Sequence, residues 1–151
     1  MNPRIEKWLN DAVSAKLPGR FGLQEVAPKN SYRVFKAASD KSFAAFVLVQ
    51  TDDHFNTFTV EIAWSDRGTF PPHYTFEDDP SKWKAKDGGL IIRIGRFVKR
   101  RDFWWKVSTK GDCMSAMDEL IGWINEFVWP YLQRVASEHG ASLPSQPQPT
   151  Q

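Results

Sequence analysis

Apolar and polar positions alternate most cleanly in residues 43–65. Phe58, Val60, Ile62 and Trp64 share one parity, and Thr57, Thr59, Glu61 and Ala63 share the other. A period of two predicts a strand with one buried face. Residues 43–49 are apolar at both parities, which predicts a central strand covered on both sides. The polar run between them makes the pair a β-hairpin in mid-sheet. Burying Phe58, Val60, Ile62 and Trp64 contributes about 6–12 kcal/mol gross. No surface ion pair approaches that, so the apolar face of the sheet decides the fold.

The rest of the chain supplies partners for this hairpin. In residues 3–17, Ile5, Trp8, Leu9, Ala12 and Val13 trace one stripe of a helix, with Asn2 as cap, Pro3 in the first turn and Pro18-Gly19 as its stop. A short strand is expected within residues 21–29. Residues 31–37 read as a strand with Tyr32 and Val34 inward, joined to the hairpin by a Ser-Asp-Lys-Ser turn. Residues 90–97 and 103–107 read as a fourth and a fifth strand around the basic turn at 98–102. From Asp112, read as a helix cap, Met114, Met117, Ile121, Ile124, Val128 and Tyr131 follow a helical face, with Leu120, Phe127 and Leu132 beside it. Pro130 interrupts that face and predicts a kink or restart. The expected fold is α+β: an antiparallel sheet of five or six strands, with an N-terminal helix and a long kinked C-terminal helix packed on one face. Residues 1–140 form one domain. Residues 141–151, rich in Pro, Gln and Ser, read as a disordered tail.

At 151 residues a single domain can bury a sufficient core without staples. Aromatic residues reach 14%, including seven Trp and eleven Phe, so the core is unusually aromatic or part of that surface faces a partner. The net charge of +2 argues against a dedicated nucleic-acid binder. A single cysteine, Cys113, excludes an internal disulfide and a cysteine metal cage, and fits a reducing compartment. No apolar leader or membrane-length run is present, so the expected location is the cytoplasm.

The string Arg93-Ile94-Gly95-Arg96-Phe97 followed by Phe103-Trp104-Trp105-Lys106-Val107 resembles a bacterial family catalogued as domain of unknown function 4304. Phe35-Lys36 and Val47-Leu48-Val49-Gln50 match its other short patterns, and the likeness spans roughly residues 5 to 135. The resemblance implies a small single-domain protein of bacterial origin and carries over no active residues. Small bacterial proteins of this build also resemble toxin-neutralising immunity proteins.

Two surfaces stand out. The segment 66–89 carries Phe70, Tyr74, Phe76 and Trp83 beside Glu77, Asp78 and Asp79 and beside Lys82, Lys84 and Lys86. A long loop with that many rings is either packed down or functional, and aromatic anchors ringed by charge are how protein interfaces are built. The second surface is Arg93, Arg96, Lys99, Arg100, Arg101 and Lys106 interleaved with Phe97, Phe103, Trp104 and Trp105. That mix suits base stacking with phosphate contacts; the plainer reading is a sheet edge kept soluble by charge.

Other candidates are thinner. Asp52-Asp53-His54 could form a metal or acid–base site, or simply a turn. Glu77-Asp78-Asp79 lacks the alternation and glycine of a calcium loop. Cys113 near a helix start could be activated or could be a plain core residue. His54, His73 and His139 show no metal spacing. An enzyme would have to assemble acids such as Asp53, Glu61 and Glu77 from distant positions. The expectation is a non-catalytic binding domain with no cofactor and no metal. Its partner is another protein such as a cognate toxin, contacted through residues 66–89 and the exposed side of the sheet. The alternative is a nucleic-acid-associated protein using residues 93–106.

Overall fold

A computed structural model describes residues 1–85 and 87–144. Helix α1 spans Pro3–Lys16, capped by the Asn2 side chain, which accepts from the Arg4 and Ile5 amides. Strands β1 (Gln24–Lys29), β2 (Tyr32–Ala38), β3 (Ala44–Thr51), β4 (Thr57–Ser65) and β5 (Gly89–Arg93) follow. They pair antiparallel in chain order as a meander. Helix α2 (Ile94–Val98), the two-residue strand β6 (Trp105–Lys106), helix α3 (Lys110–Trp123) and helix α4 (Trp129–Glu138) complete the chain. Strand β6 returns to β4, pairing Thr57 with Lys106 and Phe58 with Trp105. The fold is α+β, with a six-stranded antiparallel sheet whose one face carries both the N-terminal helix and a long C-terminal helical segment.

The main core lies between the sheet and the helices. Phe35, Val47, Val49, Phe58, Val60, Ile62 and Trp64 meet Leu9, Val13, Met117, Leu120, Ile124, Val128 and Leu132 there. A second, smaller cluster lies on the opposite face: Val34, Ala44, Phe46, Leu48, Ala63 and Ile91, flanked by Tyr32 and Phe70. Strand β3 is thus buried on both faces, as its double-parity run predicts.

Several expectations need correction. In β2 the residues under the helices are Phe35 and Ala37, while Tyr32 and Val34 face the second cluster. Val34 and Phe35 are adjacent and both apolar, so either parity could have been the inner one, and pairing with β3 decided it. Strand β4 is not half exposed: Thr59, Glu61 and Ser65 are as buried as the apolar parity. The expected strand over 90–97 ends at Arg93 and turns into α2. Gly95 is the reason the turn can close. A Cβ there would lie 2.2 Å from the Arg101 carbonyl oxygen and 2.6 Å from the Phe103 amide nitrogen, so the returning chain passes too close for a side chain. Gly95→Ala should therefore lose at least about 1 kcal/mol of stability by overpacking, read as a lower urea midpoint at unchanged slope.

The cap of α3 is Thr109, not Asp112. Asp112 sits three residues inside and completes a capping box with Thr109. The expected break at Pro130 is accommodated by a π-helical turn at Ile124–Val128 that leads directly into α4. The wider turn absorbs the missing donor and the ring. It also rotates the helical face, leaving Phe127 exposed while Val135 and Ala136 are buried. The first residues of the expected tail are packed on the body. Ala141 and Leu143 are buried, and the Trp129 indole donates to the Pro144 carbonyl at 3.2 Å. The expectation for 145–151, like the placing of Lys86, lies outside the described residues. No helix among the described residues is long and apolar enough to cross a membrane.

Candidate functional site

The segment after β4 crosses the second face of the sheet and then runs along β5. Phe70 packs edge-on against Phe46 at 5.3 Å. The Lys29 ammonium sits 4.2 Å from the Phe70 ring centre, and Lys36 donates to the Gly68 carbonyl at 2.9 Å. The chain then straightens. The Ile91 amide donates to the His73 carbonyl at 2.8 Å and the Thr75 amide to the Ile91 carbonyl at 3.0 Å. This parallel bridge holds Tyr74 in extended backbone. Residues two apart then share a side, and the Tyr74 and Phe76 rings stack at 5.8 Å, 5° from parallel. They are among the few large apolar side chains left open, at 40% and 62% exposure.

Glu77, Asp78 and Asp79 follow, all exposed. Asp79 accepts from the Ser81 amide at 3.0 Å and caps a short turn at Pro80–Lys82. That hydrogen bond holds its carboxyl below the usual carboxylate range. Trp83 then turns inward, edge-on to Phe97 at 4.7 Å and to Tyr131 at 5.4 Å, with its indole donating to the Glu77 carbonyl at 2.9 Å. The seven residues expected to form the surface therefore divide. Tyr74, Phe76, Glu77, Asp78 and Asp79 lie together on the outside; Phe70 and Trp83 fasten the segment to the body.

The basic excursion at 93–106 is tied partly to itself, through Asp102, and partly to that same segment. Arg93 pairs with Asp102 at 2.7 Å, and Arg96 pairs with Asp102 at 3.0 Å. Arg96 also donates to the Phe76 carbonyl at 2.6 Å and pairs with Asp78. Arg100, held at a φ of 58°, reaches the Asp78 carbonyl at 3.2 Å. Lys99 lies near the Phe103 and Trp123 rings at 6.0 and 5.9 Å. Trp104 is half-buried, while Arg101 and Lys106 remain exposed. The two charged features, separate in sequence, brace each other.

Between them lies a residue that spacing alone does not mark as special. Glu61 is 1% exposed. It stands opposite Leu48 on β3 and Arg93 on β5, just after β4 changes its partner from β6 to β5. Neither carboxylate oxygen has a hydrogen-bond partner of ordinary geometry, and the Arg93 Nε is likewise buried without one. The Tyr74 hydroxyl lies close enough to influence the carboxyl without completing a regular bond. Burial pushes Glu61 up, while Tyr74 and Arg93 pull it back. Burial first, and then Glu61, pushes the Tyr74 hydroxyl up strongly; the same two causes raise Tyr32.

The remaining candidates have structural roles. Asp52 accepts from the His54 and Phe55 amides at 2.7 and 2.9 Å, which holds its carboxyl low and builds the hairpin turn. The Asp52 and Asp53 carbonyls receive the N-terminal ammonium. His73 pairs with Asp87 at 2.8 Å, and the His139 ring lies tilted against Phe43 and Trp64. Cys113 is buried, and burial, followed by the nearby Asp112, raises its thiol, so it lacks the thiolate character of a nucleophile. Among the described residues no three His, Cys, Asp or Glu side chains converge as a metal set.

Residues 29–134 match the model of a family described as domain of unknown function (DUF4304). The protein belongs to the DUF4304 family. The matched span takes in the surface segment, Glu61 and the basic excursion. It begins at the end of β1, later than the resemblance suggested, so α1 and nearly all of β1 lie outside it. No curated protein and no solved structure matches this DUF4304 chain.

Proposed function

We propose that this DUF4304 protein is a bacterial, cytoplasmic, non-catalytic domain that binds another protein, a cognate toxin being the most concrete partner. The observation that carries this reading is the open Tyr74–Phe76 stack with its acidic rim. Two rings are held face to face by extended backbone, and Glu77, Asp78 and Asp79 follow directly. Rigid aromatic anchors beside a charged rim supply most of the energy of a protein interface. Arg96 ties the segment to the body through Phe76 and Asp78, so little ordering remains to be done on binding.

A partner with a basic rim around an apolar hollow fits this surface. The nucleic-acid reading is the weaker one, because Arg93 and Arg96 are already paired with carboxylates. The test is co-expression with the product of the adjacent gene, followed by titration calorimetry. A complex should form, and the double variant Tyr74→Ala, Phe76→Ala should weaken it by at least about 30-fold with an unchanged circular dichroism spectrum. Undiminished affinity in that variant, or no complex at all, overturns the reading.

A further inference from the structure

A cavity of about 330 Å³ opens where α4 meets the inner side of the surface segment, away from the Tyr74–Phe76 stack. Its walls are aromatic: Trp64 from β4, Trp83 from the segment and Tyr131 from the start of α4. The volume falls at the low end of small-molecule pockets, enough for one or two fused rings.

The polar groups at its mouth are not used up by the fold. The Trp64 indole donates to the Tyr131 hydroxyl at 3.1 Å, so the hydroxyl keeps its own hydrogen to give. Burial pushes this phenol up to about 12, and it remains a donor at any physiological pH. Arg134 lies over the Tyr131 ring at 5.6 Å. Among the described residues Arg134 has no carboxylate partner, Glu138 one turn further on included. His139 donates from Nδ1 to the Val135 carbonyl at 2.9 Å. This turns Nε2 the other way, 3.9 Å from Asp66 Oδ2.

A larger cavity of about 410 Å³ between α1 and the sheet offers no unused cation among its described lining residues. Its arginine, Arg33, is already bonded to Glu25, Asn10 and Ser14.

We propose that the Trp64–Trp83–Tyr131 cavity binds a small planar aromatic molecule carrying a carboxylate. The ring lies among the indoles and the phenol, and the carboxylate meets the Arg134 guanidinium and the Tyr131 hydroxyl. Arginine presents a planar fork that matches a carboxylate, and aromatic walls favour a stacked ring. Among the described lining residues Glu138 is the acidic one, and it opposes an anion. It sets the sign of the test, since removing its charge should help an anionic ligand and hurt a cationic one. This site goes beyond the protein-binding surface and does not depend on it, because it uses the opposite side of the segment.

The experiment is a nitrogen–proton NMR titration of the full chain with indole-3-acetate, with benzylamine and indole as the cationic and neutral probes. Indole-3-acetate should shift the indole N–H signals of Trp64 and Trp83, saturating at about millimolar or below. The other five tryptophans should stay in place. Arg134→Ala should weaken binding at least tenfold, and Glu138→Gln should leave it equal or tighter. Both residues are exposed on α4, so neither variant threatens folding, and unchanged spectra without ligand establish that. The proposal is overturned if benzylamine or indole binds as well as the acid, if Arg134→Ala binds unchanged, or if all seven indoles shift together.

Discussion

Phe58→Ala is expected to lower folding stability by about 3–5 kcal/mol. The side chain is fully buried and sits where β4 is paired with β6, ahead of its pairing with β5. It stacks on Trp105 at 5.0 Å and 16° from parallel. Trp105 in turn contacts Phe103 at 5.0 Å and Trp123 at 4.9 Å, and its indole donates to Glu119 at 3.0 Å. Removing the ring therefore opens a hole beneath a chain of aromatic contacts running from the sheet into α3. Strand β6 pairs through only Thr57–Lys106 and Phe58–Trp105, too little ladder to hold without the stack. Domains of this size have about 5–15 kcal/mol in total, so the loss is a large share of it. Urea unfolding should show a lower midpoint at unchanged slope. A loss below about 1 kcal/mol would mean that the ring is not holding β6 to β4.

Glu61→Gln is expected to act in the opposite direction, and only above acid pH. The Glu61 carboxyl is raised from its ordinary value of 4.5, chiefly by burial. Below pH 4.5 the group is neutral in both the folded and the unfolded chain, and its full contribution to stability is present. As pH rises past 4.5 the unfolded chain ionises first, and the native state loses that contribution until pH passes the raised folded value. The glutamine variant lacks this loss. At pH 7–8 it should be more stable than the parent by about 1–3 kcal/mol, the scale of an unsatisfied buried polar group. Below pH 4.5 the two proteins should converge. The quantity to plot is the difference between them, because Glu25, Asp52 and Asp79 have lowered carboxyls and give both proteins a common slope of the other sign. A constant difference across pH 3–8 would show that Glu61 does not titrate as its burial requires. Retaining a costly unpaired carboxylate beside Tyr74 is the kind of local conflict that accompanies function more often than packing.

The acidic segment and the basic excursion show how much of the surface was legible. Tyr74, Phe76 and the three acids were readable as a group because they are contiguous. That Asp78 is held by Arg96 and Arg100 was not, since the partners lie about twenty residues away and nothing in either run fixes their approach. Phe70 and Trp83 are aromatic like the open rings, yet they are packed. Which rings face out depends on where the chain crosses the sheet, and spacing does not encode that.

Glu61 left a faint trace. Its neighbour β3 is apolar at both parities, and a strand paired in register with a doubly buried strand tends to be doubly buried itself. The alternation of β4 pointed instead to one open face, because Thr59 and Glu61 are polar by type. The crossing of residues 66–76 and the return of the chain at Phe103, whose carbonyl accepts from the Thr59 hydroxyl, cover them.

Local sequence pattern was enough for α1, for strands β1 to β4 and their antiparallel meander, for the doubly covered β3 and for the C-terminal helical face, but not for α2. These follow from periods of 2 and 3.6 and from caps and breakers, all local signals. The tertiary structure alone decided the inner parity of β2, the end of β5 at Arg93, the π turn before Pro130, the seating of Ala141 and Leu143, and the burial of Glu61. Each of these depends on what another segment covers or how closely it passes, as Gly95 does beneath the Arg101 carbonyl. Such contacts are set by long-range packing, which no local pattern records.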